Sequence, residues 1–414
     1  MTEESDRSSA NGRLFDVVCI GSATQDVFVK TNLSKIITIR DPVMQKEYLS
    51  FEYGDNINID SIRFLGGGGG SNTSVSFARL GLKSAFVGKV GNDEVGQKVL
   101  EDMRKEGVDV SLVRKDECEI TGYSVILNSF EGDRTVLTYR GANNHLEWSE
   151  LDLEKLKNAD WFYITSLSGN SALILDELAE FAEANNICCA MCPGGTQIKR
   201  GLKGLARILK TLEVLVLNKE EASALSGVQF SHMAADPELC IGCGTCVDVC
   251  PVKIFHLDEK KKAYIKDRYK CTKCGECYTK CPTRAVAIEP WADCMDEILK
   301  TLYSMGPKIV VITDGDKGAQ AYDGKYRYLI PTYPANVVDT LGAGDSFGSG
   351  FVAGLIHSGW DIEFALRLGS VNAASVVEQF GAQPGLLSLD KARERMTAYS
   401  VRVRRTEMIA EKKG

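Results

Sequence analysis

Eight cysteines in two matching runs are the first residues whose spacing prescribes a chemistry. Cys240, Cys243, Cys246, Cys250 and Pro251 read C-x2-C-x2-C-x3-C-P, and Cys271, Cys274, Cys277, Cys281 and Pro282 repeat the pattern. Three thiolates at this spacing wrap one corner of an iron–sulfur cube, while the fourth is carried away by a short helix. C-x2-C is also a zinc spacing, so a pair of zinc sites is the alternative reading. Gly242, Gly244 and Gly275 give the backbone room to turn around the sulfurs. A second chemistry is written where Asp339-Thr340-Leu341-Gly342-Ala343-Gly344-Asp345 runs into the small-residue stretch SFGSGFVAGL. Glycines at a helix start let backbone N–H groups point at an anion, and a carboxylate beside such an anion hole is placed to accept a proton from an attacking hydroxyl. Standing alone, Asp345 would read as an acidic residue supporting its own helix N-terminus. The third feature is Gly66 to Gly70, followed by Ser71 and Asn72 at the start of a helical pattern. It lacks the Lys of G-x-x-x-x-G-K-[ST] and the third glycine of G-x-G-x-x-G, so phosphate-loop and dinucleotide readings fail and a flexible linker is the alternative.

The elements that must position these residues follow a rhythm. LFDVVCIG over Leu14 to Gly21 reads as a buried parallel strand leading to a functional loop. Residues 27 to 64 alternate in short strands exposed on one face, as a lid would. From Ser71 strand and helix patterns alternate, through SAFVGKVG, WFYITSLS, ICCAMCPGG and LEVLVLN, which predicts a doubly wound α/β fold. The rhythm stops near Ser226 and resumes at Met295, and the Cys- and Lys-rich segment between reads as a domain inserted into one α/β domain. The expected organisation is a disordered tail over 1–13, a first α/β part over 14–231 with a lid at about 27–64 and 121–140, an insert over 232–292, a second α/β part over 293–400, and a basic tail over 401–414. A chain of 414 residues with net charge −7 has no overall positive field to draw it to nucleic acid or an anionic membrane. No apolar run reaches the roughly 18 residues of a membrane helix, and the opening MTEESDRSSANGR is unlike a secretory signal, so a cytoplasmic protein is expected.

Residues 237–290 resemble the two-cluster bacterial-type ferredoxin domain over their whole length, with no ligand missing. The resemblance implies crossed ligation: Cys240, Cys243, Cys246 and Cys281 on one 4Fe-4S cluster, and Cys271, Cys274, Cys277 and Cys250 on the other. The Gly-rich helix start and the Asp345 motif together resemble the ribokinase-like, or PfkB, family of carbohydrate and nucleoside kinases, over about residues 14–229 and 293–390. GKVGNDEVG at 88–96 and YRGAN at 139–143 are similar to family segments. That resemblance implies a small β lid beside a ribokinase-like core. It implies substrate binding by Asp26, Gly68, Gly69 and Asn72, and control of magnesium near the phosphates of ATP by Asn218 and Glu221. It also implies a nucleotide turn at Thr313, Gly315 and Gly318, an anion hole at Gly342, Ala343 and Gly344, Asp345 as general base, and a monovalent cation near Asp339. Two departures are Cys192-Pro193, where the family often reads Asn-Pro, and Ser370, where it often has Asn or His.

The expected activity is transfer of the γ-phosphate of ATP, with Mg2+, to a hydroxyl of a sugar or nucleoside. The iron–sulfur insert would have a structural, redox-sensing or electron-transfer role. The reading from another class is a ferredoxin-type electron-transfer protein that uses the kinase-like part as a docking scaffold. Expected partners are the small-molecule substrate, a redox protein and a second copy of the chain, with neither nucleic acid nor membrane. Anaerobically purified protein is predicted to contain about eight iron and eight sulfide per chain; stoichiometric zinc without sulfide would restore the zinc alternative.

Overall fold

The computed structural model describes residues 12–31, 35–40, 45–128, 134–266, 270–272, 274–290 and 294–408. Residues 1–11 of the expected N-terminal tail, parts of the expected lid and insert, and residues 409–414 of the basic tail lie outside the described residues. The chain divides into two units: Met1–Asn32, Ile57–Glu221 and Tyr303–Gly414 in the first, Leu33–Asn56 and Ala222–Leu302 in the second.

The first unit is built on a nine-stranded sheet. Its parallel part runs, in spatial order, through Ser84–Val87, Phe15–Ile20, Ala159–Ile164, Cys188–Met191, Leu212–Asn218 and Ile309–Thr313. The sequences FDVVCI and LEVLVLN are almost wholly buried, which is why they read as continuous apolar runs instead of alternating ones. Antiparallel strands Ala319–Tyr322, Tyr326–Ile330 and Arg404–Glu407 extend the sheet. The last of these corrects the expectation of a frayed basic tail from 401: Arg404–Glu407 pairs with the open backbone edge of Tyr326–Ile330, and the Arg405 guanidinium lies 4.8 Å from the Tyr326 ring. Val17, Cys19, Tyr163, Val216 and Val311 of the sheet pack with Phe77, Phe347, Phe351 and Leu368 of the helices in one buried core.

Helix Gly69–Arg79 begins two residues before the expected Ser71, because its glycines form the first turn. Gly68 precedes it at φ 91°, and a Cβ there would stand 2.6 Å from the Ser22 carbonyl oxygen, so a side chain is excluded on both counts. Of the family-like GKVGNDEVG stretch, Asp93 caps helix Glu94–Lys105 through the Gly96 amide, and the buried Lys89 pairs with Asp116 and Glu150. These residues stabilise the fold and stand outside the cleft described below.

A second, four-stranded sheet carries the lid, in the order Arg134–Tyr139, Gly122–Asn128, Thr24–Lys30, Ser61–Gly67. The lid is smaller than expected. Lys35–Arg40 and Gln45–Ser50 pair only with each other and cluster with the second unit. In that unit, Ser231–Ala235 pairs antiparallel with Val286–Pro290, joining the two ends of the inserted segment. Phe255–Leu257 pairs with Ala263–Ile265, and short helices Thr245–Val249 and Glu276–Thr279 follow the cysteine runs. Its core holds Met233, Ile254, Phe255, Ala263 and Val286 together with five of the eight motif cysteines.

Helices Ala343–Ser358 and Ile362–Val376 pack backbone to backbone, and a Cβ on Gly354 would stand 2.5 Å from the Ala365 Cα. Gly354→Val is predicted to lower stability by about 2–3 kcal/mol in urea unfolding, the cost of overpacking a closed contact.

Candidate functional site

The carboxyl ends of the parallel strands, the lid sheet and the loop before helix Ala343–Ser358 surround one cleft of about 1180 Å³ within the first unit. It brings together Asp26, Gly68, Gly69, Asn72, Asn218, Glu221, Thr313, Gly342, Gly344 and Asp345 from among the residues singled out in the sequence. Gly315 and Gly318 form the turn beyond Thr313, and Ala343 and Asp339 stand behind the lining. Both residues of the Cys192-Pro193 departure line the cleft, whereas Ser370 is buried in helix Ile362–Val376 and does not.

Asp345 lies in the first turn of its helix, after the N-cap Gly342, and accepts a hydrogen bond of 2.9 Å from Asn72 Nδ2. Desolvation raises its pKa, against the opposing effect of that bond. Open space surrounds the point where a Cβ of Gly344 would stand, so the first turn of the helix faces the cleft. Gln383 donates to Ser71 Oγ at 2.9 Å and to Asn72 Oδ1 at 3.1 Å, fixing the amide of Asn72 with its nitrogen toward Asp345. Asp339 accepts from the amides of Leu341 and Gly381 at 3.0 Å each and pairs with Arg134 at 3.3 Å. Arg134 also donates to Thr340 Oγ1 at 2.6 Å, tying the lid strand to the loop before helix Ala343–Ser358. Asn218 and Glu221 form a reciprocal cap on helix Lys219–Ser226: the Glu221 amide donates to Asn218 Oδ1 at 2.8 Å, and the Asn218 amide donates to Glu221 Oε2 at 3.0 Å. Burial raises the Glu221 pKa.

Asp26 is buried on the central lid strand and in register with Ser124, which is in turn in register with Thr138, and all three line the cleft. Desolvation raises Asp26 to about 6, against hydrogen bonds from Thr24 and Ser124. Arg134, Thr138, Ser124 and Gln383 were missed in the sequence, and Arg140 stood out there only as part of the YRGAN segment, with no role given to it. The even spacing of Arg134 and Thr138 along strand Arg134–Tyr139 was the available signal for those two, since it puts both on one face.

The motif cysteines of the second unit stand around two hollows. Cys240, Cys243, Cys246 and Cys281 line one, and Cys250, Cys271, Cys274 and Cys277 line the other. Among the described residues no three Cys, His, Asp or Glu side chains converge closely enough for a single ion. The grouping around two small chambers is the one crossed 4Fe-4S ligation requires, so the residues fit two cubes. The Ala263 amide donates to Cys240 Sγ at 3.4 Å, and Cys243 Sγ and Thr245 Oγ1 share a hydrogen bond of 3.3 Å. Desolvation pushes the Cys277 thiol up to about 12, so its thiolate needs a cation to persist.

Comparison with known proteins agrees with both parts. The family model described as pfkB family carbohydrate kinase matches residues 16–243 and 292–389, and that of the 4Fe-4S dicluster domain matches 239–285. The chain is 26% identical over 313 residues to an uncharacterized sugar kinase of Archaeoglobus fulgidus, covering 75% of this chain and 98% of the relative. It is also 26% identical over 400 residues to a 5-dehydro-2-deoxygluconokinase of Clostridium perfringens, covering 92% and 93%. The structure of Arabidopsis thaliana ribokinase complexed with ribose and ATP superposes with a TM-score of 0.65 at 21% identity, over 92% of this chain and 98% of that one.

The raised pKa of Asp26 has a consequence for stability. A folded value of about 6 against an ordinary 3.8 means that ionisation opposes folding above pH 6, and that the penalty fades as pH falls from 6 to 3.8. Asp26→Asn is therefore predicted to stabilise the protein by on the order of 2–3 kcal/mol at pH 8, with the gain vanishing toward pH 4 in denaturant titrations.

Proposed function

The chain belongs to the pfkB family of carbohydrate kinases and is a phosphotransferase with a hydroxyl acceptor; on that premise we propose that it transfers the γ-phosphate of ATP to a hydroxyl of a sugar or nucleoside. The observation that carries this reading is Asp345, bonded to Asn72 beside the open first turn of helix Ala343–Ser358, in the same cleft as Asp26. Asp26, Asn72 and the backbone at Gly68 and Gly69 hold the acceptor. Its hydroxyl oxygen attacks the γ-phosphorus, the proton passes to Asp345, and ADP leaves. The amides of the Gly342–Gly344 segment and the helix N-terminus offset charge on the transferring group. A carboxylate whose pKa is raised by burial is a better proton acceptor than an exposed one.

Bound magnesium would neutralise phosphate charge. Asn218 and Glu221 fit its control through water, because the mutual cap uses Asn218 Oδ1 and Glu221 Oε2 and leaves Glu221 Oε1 outside it. Thr313, Gly315 and Gly318 would border the nucleotide. A monovalent cation at Asp339 would share that carboxylate with two backbone amides and Arg134.

Two 4Fe-4S clusters, with Cys240, Cys243, Cys246 and Cys281 on one and Cys271, Cys274, Cys277 and Cys250 on the other, complete the proposed cofactors. A structural or redox-sensing role is supported by the cysteines' share of the insert's core, which would lose its centre with the clusters. The electron-transfer reading, with a redox protein as partner, draws on the exposure of Cys243 and Cys274. Exposed apolar residues of the lid, Ile62, Phe64 and Leu137 among them, support a homodimer. No described helix is long and apolar enough to cross a membrane, and an oxygen-poor cytoplasm is the setting that exposed cluster thiolates favour.

Asp345→Asn is predicted to keep the fold and cluster content while lowering kcat by about 100-fold or more, measured by coupled ADP release on a panel of sugars and nucleosides. Wild-type turnover in the variant would refute the assignment of the base. Rapid cluster reduction without phosphoryl transfer to any member of the panel would favour the electron carrier.

A further inference from the structure

The lid face of the cleft carries an arginine, Arg140, that no carboxylate pairs among the described residues. Asp26, Ser124 and Thr138 form one polar row across three neighbouring strands, supplying acceptors and hydroxyls for an alcohol substrate. Arg140 lies two residues beyond Thr138 and also lines the cleft. Several half-buried arginines of this unit have carboxylate partners: Arg79 pairs with Glu106 at 2.8 Å, Arg395 with Glu378 at 2.8 Å, and Arg134 with Asp339 at 3.3 Å, while Arg114 and Arg200 donate to backbone carbonyls and Arg327 to Gln320. The Arg140 guanidinium has no hydrogen bond or ion pair among the described residues, although it is partly buried. Its planar fork matches the paired oxygens of a phosphate or carboxylate, and desolvation makes an unpaired guanidinium costly until such an anion arrives.

We infer that the acceptor substrate carries an anionic group, a phosphate or a carboxylate, and that Arg140 binds it with the hydroxyl of Thr138. This rests on the kinase reading and deepens it. Asp26 then holds a sugar hydroxyl at the neighbouring position, and Arg134, already committed to Asp339 and Thr340, keeps the lid strand that bears Arg140 in place.

The test compares neutral and anionic partners on wild type, Arg140→Ala and Arg140→Lys: fructose with fructose 6-phosphate, ribose with ribose 1-phosphate, and glucose with gluconate. Phosphorylation is followed by ADP release, and binding by calorimetric titration. We expect kcat/KM roughly 10- to 100-fold higher for an anionic partner. The preference should be lost in Arg140→Ala through KM and partly kept in Arg140→Lys. Preference for the sugar phosphates identifies a phosphate, and preference for gluconate a carboxylate. Equal use of neutral partners, or a preference that survives Arg140→Ala, overturns the inference while the kinase reading stands. If no sugar is phosphorylated, the kinase reading fails, and the titrations decide separately. Arg140-dependent binding of fructose 6-phosphate or gluconate then upholds the anion site, and its absence overturns it.

Discussion

The hydrogen bond from Asn72 to Asp345 joins residues 273 positions apart, and much of the kinase unit exists to make that contact hold. It is the end of a buried polar seam. Ser349 donates to Ser76 at 2.7 Å, Asn372 donates to Ser76 at 3.1 Å and to the Ser346 carbonyl at 2.9 Å, and Gln383 anchors Ser71 and Asn72. Each of these groups would be costly to bury alone, so helices Gly69–Arg79, Ala343–Ser358 and Ile362–Val376 are held at one register by their polar atoms as well as by their packing. The small residues of these helices follow from the same constraint. A larger side chain at Gly350 or Gly354 would part the helices and pull the seam open.

The seam fixes one carboxylate, and the cleft then accepts two more against the preference of water. Burial raises Asp26, Glu221 and Asp345 alike, and Asp345 adds to the rise at the other two. Such a set lowers the stability of the protein without ligand, a cost that a binding site bears when its charges await hydroxyl protons, cations or phosphates. Local hydrogen bonds limit the cost. Thr24 and Ser124 serve Asp26, Asn72 serves Asp345, and the Asn218 amide serves Glu221. The N-x-x-E motif starts a helix by its mutual cap, and the magnesium role proposed for it would fall to side chains already held in place by that cap.

The parts of this site that were legible in the sequence are those whose chemistry is local in the chain. Cysteine spacing, the Gly342–Asp345 run and the glycines before Asn72 each carry their geometry within a few residues, and the alternation of strand and helix carried the doubly wound fold. Arg140, Arg134 and Gln383 were not legible in the same way. Their roles depend on which strands lie side by side, and strand order and register are set by tertiary packing. The hairpin Lys35–Arg40 and Gln45–Ser50 was assigned to the lid because it lies between two lid strands in the chain, yet it shares no register with them. Arg404–Glu407 looked like a frayed basic end because only the free edge of Tyr326–Ile330 makes a strand of it.

How an α/β unit tolerates some sixty foreign residues is answered by the insert's own ends. Ser231–Ala235 and Val286–Pro290 run antiparallel, with Ser231 opposite Pro290, so the chain leaves and returns through neighbouring positions. To the rest of the fold the insert is a loop already closed, and the entropy of closing it is offset inside the insert. What must offset it is a core in which five cysteines stand among a few apolar side chains. A segment of this size seldom buries enough apolar surface to fold by hydrophobic burial alone. Iron–sulfur ligation by Cys240, Cys243, Cys246 and Cys281, and by Cys250, Cys271, Cys274 and Cys277, would supply the missing cohesion. Crossing one ligand from each run to the other hollow would bind the two halves of the segment to each other, so that each run would depend on its partner to fold.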